Sequence, residues 1–413
     1  MSWHLTFAKA IGDVTIDSFA CQIQSLSKYI GKTGSLDASV PIPNAEVGKR
    51  MQGIIGGEGR LSMYAYRDGE CWWGGFVDNT RVVSSNLGAT LEVKGATFES
   101  YVDRREHRQD TQILQLEQTQ YARVLWDYMQ STGPGSSIGV NTNIPNLNTK
   151  RRDMTWLRSD LRTVGSILKE VSNRVDGFEW SIDVYDDGTK RHRELIVGAP
   201  TIGRPDFTDA PAMTMTYPGD ILTYEIEGDA LEGATSFQAR GKAPDPVGTP
   251  NTGSRGYYNP VTKTTTVVNT GGDEDTSAPA EPPIMSSKEF TDTGLHDVGY
   301  VRIDSSVDRP TVTEVPTLDA WAQLALDMRS GPLVLPAVVV RMQYVSQASL
   351  GANVRIRISD HPYPAGPYGE PGWEGLSRVI GYEISPGSFG ADDVVKLVLE
   401  NPYDKDNEKR SPD

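Results

Sequence analysis

Trp72-Trp73-Gly74-Gly75-Phe76-Val77-Asp78-Asn79, followed after a break by Leu87-Gly88-Ala89-Thr90-Leu91-Glu92-Val93-Lys94-Gly95, reads as a small β-module. The chain writes a similar module near its other end. There Ser377-Arg378-Val379-Ile380-Gly381-Tyr382-Glu383-Ile384 leads through Ser385-Pro386-Gly387 into Ala391-Asp392-Asp393-Val394-Val395-Lys396-Leu397-Val398-Leu399. In both, a strand with an internal glycine–aromatic step turns into a second, strongly apolar strand. Glycine inside a strand marks a bulge or a sharp bend, the device that lets a sheet curl toward a barrel. The sequence therefore predicts two related β-barrels. Three copies of a chain with two such barrels make a six-fold ring.

Around the first module, residues 3 to 100 read mostly as β. One face of Leu61-Ser62-Met63-Tyr64-Ala65-Tyr66 carries Leu61, Met63 and Ala65, and Arg67-Asp68-Gly69 turns into Cys71,. A short helix is expected from Asn44 to Ile54, with Asn44 as its N-cap. After Tyr101 the period changes. Tyr121, Val124, Leu125, Tyr128 and Met129 share one helical face, and Val164, Ile167, Leu168, Val171 and Val175 form a second stripe that Gly177 stops,. A loop from Ser131 to Thr149 separates them. Phe178, Trp180, Ile182 and Val184 then alternate with polar residues, and Asp187-Gly188 makes a hairpin turn toward Leu195-Ile196-Val197.

Ile221 to Ile226 and Ala234 to Arg240 return to strand spacing and are expected to close the first barrel. From Gly241 to Pro283 the chain is rich in Pro, Gly and Thr, carries Asp273-Glu274-Asp275, and has little to bury,. Leu318, Trp321, Ala325 and Met328 mark a third helix ending at Gly331-Pro332, and Leu333 to Met342 is an apolar strand. Val354, Ile356 and Ile358 alternate with Arg355 and Arg357. The fold class is mainly β with an α/β insertion. Its expected parts are a first barrel at 1–101 closed by 215–240, and an α/β insertion at 102–214. An extended arm or linker at 241–300 follows, then a helix and strand packing on the α/β domain at 301–343. A second barrel at 344–403 and a loose charged tail at 404–413 complete the chain.

The 413 residues suffice for two to four domains, and no apolar run approaches the roughly 18 to 20 residues that span a bilayer,. The Met1-Ser2-Trp3-His4 start lacks a signal-peptide pattern and predicts a protein made in the cytosol. Cys21 and Cys71 are expected to be reduced core residues. A net charge of −15 argues against nucleic-acid binding, which needs Lys and Arg on phosphates, yet it suits the wall of a conduit that must not hold DNA,.

Motifs for chemistry are weak. Gly31-Lys32-Thr33 resembles the end of a phosphate loop, but Leu26 stands where its first glycine belongs, so a hairpin turn is the better account,. Gly53 to Gly59 is glycine-rich without dinucleotide spacing. Gly135-Ser136-Ser137-Ile138-Gly139 fits the nucleophile-elbow pattern, but loop flanks it on both sides where a strand and a helix are required. His4, His107, His192, His296 and His361 are scattered, and Asp183, Asp186 and Asp187 lack calcium-loop spacing. No pair of carboxylates stands out for glycoside hydrolysis. Arg104-Arg105-Glu106-His107-Arg108 reads as a solvated boundary segment, with a charged intersubunit contact as the alternative. No catalytic, cofactor-binding or metal residue is predicted, and no enzyme activity.

The organisation as a whole resembles the tail hub proteins of long-tailed bacteriophages. These are related in fold to contractile-phage baseplate hubs and to the base of type VI secretion spikes. More narrowly it resembles minor tail proteins of phages with actinobacterial hosts. The resemblance rests on Gly34-Ser35-Leu36-Asp37-Ala38-Ser39-Val40-Pro41, on Gly69-Glu70-Cys71-Trp72-Trp73-Gly74-Gly75-Phe76-Val77 and on Arg378 to Ile384. It covers about residues 1–240 and 300–400. It implies a structural virion protein of the tail tip and a homotrimer whose pseudo-six-fold ring lines the DNA channel. The ring would contact a distal tail protein or tail-tube ring above, tip or fibre proteins below, and a tape measure protein in the lumen. The alternatives are a hexameric distal tail protein with a carbohydrate-binding-like domain and a tail-associated cell-wall hydrolase.

Overall fold

The computed structural model describes residues 3–86, 88–174, 177–203, 213–229, 233–241, 254–259, 264–269, 283–309, 312–330, 333–387 and 392–400. Two units result, one of residues 1–227 with 335–413 and one of residues 228–334.

Six strands of the first unit are β1 (Trp3–Lys9), β2 (Thr15–Tyr29), β3 (Ser35–Ile42), β4 (Leu61–Arg67), β5 (Glu70–Ser85) and β6 (Gly88–Thr97). They lie in the order β1-β4-β5-β6-β3-β2, and β1 also pairs with β2, so the ring closes. Closure removes the free edges that invite non-native pairing. Period-two alternation sends Trp3, Leu5 and Phe7 of β1, and Leu61, Met63 and Ala65 of β4, into one core,. The opposite face of β4 is also covered, since Tyr64 and Tyr66 belong to a second core built with the insertion. Helix α1 (Ala45–Met51) follows β3, and the Asn44 side chain accepts the Val47 N–H at 3.0 Å as its cap,.

The glycines are not the bulges. The register slips at Trp72 against β4 and at Asp78 against β6. Gly75 and Gly95 serve close approach instead: a Cβ on either would stand 2.1 Å from a carbonyl oxygen, of Ala96 or of Phe76. The slip at Trp72 turns two consecutive tryptophans into the same core. Trp72 meets Tyr382 edge-on at 5.9 Å, while the Trp73 indole N–H donates to the Ser27 carbonyl at 3.1 Å.

The insertion comprises β7 (Thr111–Glu117), α2 (Gln120–Ser131), β8 (Arg151–Trp156), α3 (Val164–Ser172), β9 (Glu179–Asp186) and β10 (Arg191–Gly198). The buried face of α2 is Tyr121, Ala122, Leu125, Trp126 and Met129. The predicted stripe held Val124 and Tyr128, which are only half-buried. Burying the larger Trp126 ring rotates the helix by about one position. Val164, Ile167, Leu168 and Val171 of α3 are buried as expected, and Val175 lies outside the described residues.

Next come β11 (Met213–Tyr217) and β12 (Ile221–Asp229). The second unit then holds β13 (Ser236–Gly241), the hairpin β14 (Ser254–Asn259) and β15 (Thr264–Asn269), β16 (Phe290–Thr291), α4 (Thr293–Asp297), β17 (Asp304–Arg309) and α5 (Val315–Arg329). β13 lies between β16 and β17, and α5 packs on it through Leu318, Trp321, Ala322 and Ala325. The Met328 side chain, residues 242–253, 260–263 and 270–282 of the expected arm, and the 404–413 tail lie outside the described residues. What is described of the arm includes a hairpin, an organisation its composition did not announce.

The chain returns with β18 (Leu333–Arg341), β19 (Asn353–Ile358), β20 (Trp373–Ser385) and β21 (Val394–Glu400). Two expectations are corrected here. Residues 215–240 do not close the first barrel: β11 pairs with β19, β12 with β18, and β13 belongs to the second unit. The apolar strand before residue 344 is not a companion of the α/β part, because β18 pairs with β21 from Val338↔Leu397 to Arg341↔Val394. The resulting order is β11-β19-β20-β21-β18-β12. Ranked along the chain, both sets run first, fourth, fifth, sixth, third, second. They differ in that β11 is parallel to β19 where β1 is antiparallel to β4. No ladder joins β11 to β12 among the described residues. The Tyr217 and Tyr224 rings meet there edge-on at 5.0 Å. β2 pairs with β20 from Leu26↔Ile384 to Tyr29↔Gly381, so the two sets share one sheet and one core.

Candidate functional site

The motif residues are occupied by structure. In the 131–149 loop, the Ser136 hydroxyl donates to the carbonyls of Gln130 at 2.9 Å and Gly133 at 2.7 Å, and its own carbonyl accepts from Tyr101. Gln130 clamps the same loop by bonding both the N–H and the carbonyl of Val140 at 2.8 Å. Ser137 is exposed between residues of neither helix nor strand. An elbow's strained strand-to-helix turn is therefore not built here.

The histidines lie apart, three of them in separate aromatic settings. His4 stacks on Tyr66, His107 on Tyr128 and His192 on Tyr185, while His296 lies in the last turn of α4 and His361 is exposed. Each of the three acids named above has its own task. Asp183 faces Lys28 at 3.7 Å, Asp186 accepts the Tyr66 hydroxyl at 2.8 Å, and Asp187 accepts the N–H groups of Thr189 and Lys190 in its turn. The Thr189 hydroxyl and His192 hold the Asp187 carboxyl far below the usual carboxylate range. No cluster of metal-ligating side chains occurs among the described residues. Burial pushes the Cys21 and Cys71 thiols up to about 12, so neither is a thiolate near neutrality, and both are free,.

The basic run folds back on its own chain. Arg104 bonds Asp78 at 2.9 Å and covers the Phe76 ring, Arg105 reaches the Tyr101 hydroxyl and the Thr132 carbonyl, and Arg108 pairs with Glu106. The Gly31-Lys32-Thr33 turn is more interesting than its sequence suggested. With α3 and β9 it lines a cavity of about 270 Å³ that Lys169, Asn173, Asp103 and Glu99 also border. Glu99 is committed, accepting from the Ser181 hydroxyl and the Ile182 N–H at 2.9 and 2.8 Å. The Gly31 N–H is likewise used on the Trp180 carbonyl at 2.9 Å, so no phosphate-cradling nest of free amides is present at that residue,.

The strongest polar constellation is one the sequence did not reveal. Arg378 of β20 has no exposed side-chain surface, and its guanidinium forks onto both Glu179 oxygens at 2.7 and 2.6 Å. Glu400 of β21 and the Ile202 carbonyl take further N–H groups, and Glu179 accepts the Ile202 N–H at 2.6 Å. The triad rivets β9 of the insertion to the second strand set. A second rivet joins the insertion to the barrel: Arg191 and Arg193 of β10 hold both oxygens of Asp13, and Arg193 lies 4.3 Å over Phe98. The hint in sequence was an arginine directly before the apolar stretch Val379-Ile380-Gly381-Tyr382 of β20. These are joints, and the arrangement does what joints do: it fixes three substructures as one body.

No protein-family model matches the chain, and no curated protein does. Solved structures do match. A tail protein from Neisseria meningitidis MC58 aligns with TM-score 0.57 and 11% identity over 98% of this chain and 99% of that one. The 43 kDa tail protein of prophage MuSo2 from Shewanella oneidensis gives TM-score 0.57 at 10% identity over 98% and 99%. A prophage tail protein from Listeria monocytogenes EGD-e gives 0.50 at 10% over 96% and 94%. At such identities the likeness concerns architecture, and in architecture the chain has the fold of phage tail proteins.

Proposed function

We propose that the chain is a structural tail hub protein of a long-tailed phage, with an actinobacterial host as the sequence suggests. Three copies form a ring at the tail tip that joins the six-fold tube or distal tail ring to a three-fold tip and surrounds the DNA channel. The observation that carries this is the repeated strand order, 1-4-5-6-3-2, in two sets locked together through β2 and β20. One chain then offers two similar faces, so three chains offer six in one direction while remaining three-fold in the other. A hexameric distal tail protein would need only one set per chain. Static light scattering of the purified chain at micromolar concentration tests the assembly, with three times 45.2 kDa as the expected mass. A hexamer would overturn the proposal, and a monomer would do so unless a map of the virion shows three copies around the axis. For the hydrolase alternative, a peptidoglycan zymogram with the wild type and Ser137→Ala is expected to show no clearing in either lane.

A further inference from the structure

The two strand sets differ sharply at one connection. β4 and β5 are joined by Asp68 and Gly69 alone, whereas their counterparts β19 and β20 are joined by residues 359–372. This longer loop holds its own shape. The Asp360 N–H donates to the Tyr363 carbonyl at 2.9 Å and the Tyr363 N–H returns to the Asp360 carboxylate at 3.1 Å. Further out, the Gly366 N–H donates to the Glu370 carbonyl at 2.8 Å, and the Tyr368 N–H to the Glu370 carboxylate at 3.0 Å. Pro362, Pro364, Pro367 and Pro371 restrict the backbone between these bonds,. At its base Asp360 also accepts the Tyr224 hydroxyl of β12 at 2.6 Å.

At the tip of this braced loop, Tyr368 is 91% exposed. A ring so placed contributes almost nothing to folding. A tyrosine on a pre-ordered backbone, by contrast, loses little freedom on docking and is a frequent interface anchor. Asp360 and Glu370 make the loop acidic, so its electrostatic complement is a basic patch, scarcer on this chain, with 55 acidic and 40 basic residues, than on a basic partner,.

We propose that the 359–372 loop is a docking finger whose Tyr368 ring enters an apolar pocket, rimmed by Lys or Arg, on a protein other than this chain. The partner's place rests on the hub proposal: the loop occurs on one strand set of each chain, so a trimer presents three fingers and fits a three-fold partner.

The test places a benzophenone amino acid at position 368 in assembled phage particles. Irradiation is expected to give an adduct of this chain with a different tail protein, mapped to a pocket with basic neighbours. In parallel, Tyr368→Ala is expected to lower the yield of infectious particles by roughly tenfold or more and Tyr368→Phe by less than about twofold, as for an anchor that works by its ring. Thermal melting of purified Tyr368→Ala should match the wild type, which separates lost docking from lost folding. An adduct only between copies of this chain, no adduct, or full infectivity of Tyr368→Ala overturns the proposal. The hub proposal is judged separately, by the mass of the purified chain and its copy number in the particle. A three-copy ring without an adduct sinks the finger and leaves the hub standing.

Discussion

Arg378 shows how a single residue can decide the stability of a protein proposed to act by assembly. Its charge lies out of water and is compensated by two carboxylates, Glu179 with no exposed side-chain surface and Glu400 with 14%. Glu179 supplies the bidentate, fully buried half of that compensation; losing such a partner costs about 3–5 kcal/mol where the charge is left unpaired, and less while Glu400 still pairs with Arg378,. Glu179→Ala is therefore expected to lower the unfolding free energy, read from chemical denaturation, by up to about 3–5 kcal/mol, and Glu400→Gln by clearly less, since water can reach Glu400,. A midpoint for Glu179→Ala within error of the wild type would mean that the triad does not fasten the insertion. His107 gives a pH-dependent counterpart. It is 4% exposed against Tyr128, and burial holds its pKa below the ordinary 6.5. Because the folded value is the lower one, the unfolded chain takes up the proton first as the pH falls. Stability from this group is thus complete above 6.5 and is lost as the pH drops through the folded value,. Melting at about pH 7 and about pH 5 should show a larger acid-induced loss for the wild type than for His107→Phe, which keeps a ring on Tyr128.

At the scale of elements, the glycine–aromatic steps separate two kinds of crowding. A Cβ at Gly75 would meet the backbone oxygen of Ala96 at 2.1 Å, whereas one at Gly381 would meet the Tyr29 ring at 2.3 Å. A ring can turn aside, though the Tyr29 hydroxyl would then lose its 2.7 Å bond to Glu383, while a paired strand cannot move without breaking its ladder. Overpacking costs typically about 1–3 kcal/mol, and Gly75→Ala should lie at or above the top of that range with Gly381→Ala below it. Chemical denaturation of the two variants checks the ranking. These elements also show what the sequence made legible. The Asp68-Gly69 and Asp187-Gly188 turns, the Asn44 cap and the stripe of α3 are local, fixed by turn chemistry and period, and they form where expected. The destination of β11, β12 and β18 was not legible, because strands of similar apolar pattern choose distant partners, such as Val338↔Leu397 and Met213↔Val354, and several rings satisfy the same alternation. The Arg378–Glu179 joint was hidden for the same reason, its members standing 199 positions apart. The bulges were misplaced for a different one: a register slip at Trp72 is chosen by the core's need for two indoles, which no single strand displays.

For the whole molecule, the net charge of −15 bears on the proposed role as the wall of an axial conduit. A duplex passing through a ring is held wherever Lys or Arg neutralises its phosphates, and each neutralised phosphate adds a salt-dependent increment of affinity. The arginines with the richest bonding here, Arg191, Arg193 and Arg378, are turned inward onto Asp13, Glu179 and Glu400 and are unavailable to such a ligand. The arginines of the 104–108 run are spent on Asp78, Tyr101, Thr132 and Glu106. Fluorescence anisotropy with a labelled duplex of about 30 base pairs should accordingly show no saturable binding to the purified chain at physiological salt, and no gain beyond nonspecific levels at about 50 mM. Micromolar affinity with a steep salt slope would mean that a basic surface exists and that the protein grips DNA rather than letting it pass, which is incompatible with a low-friction channel wall.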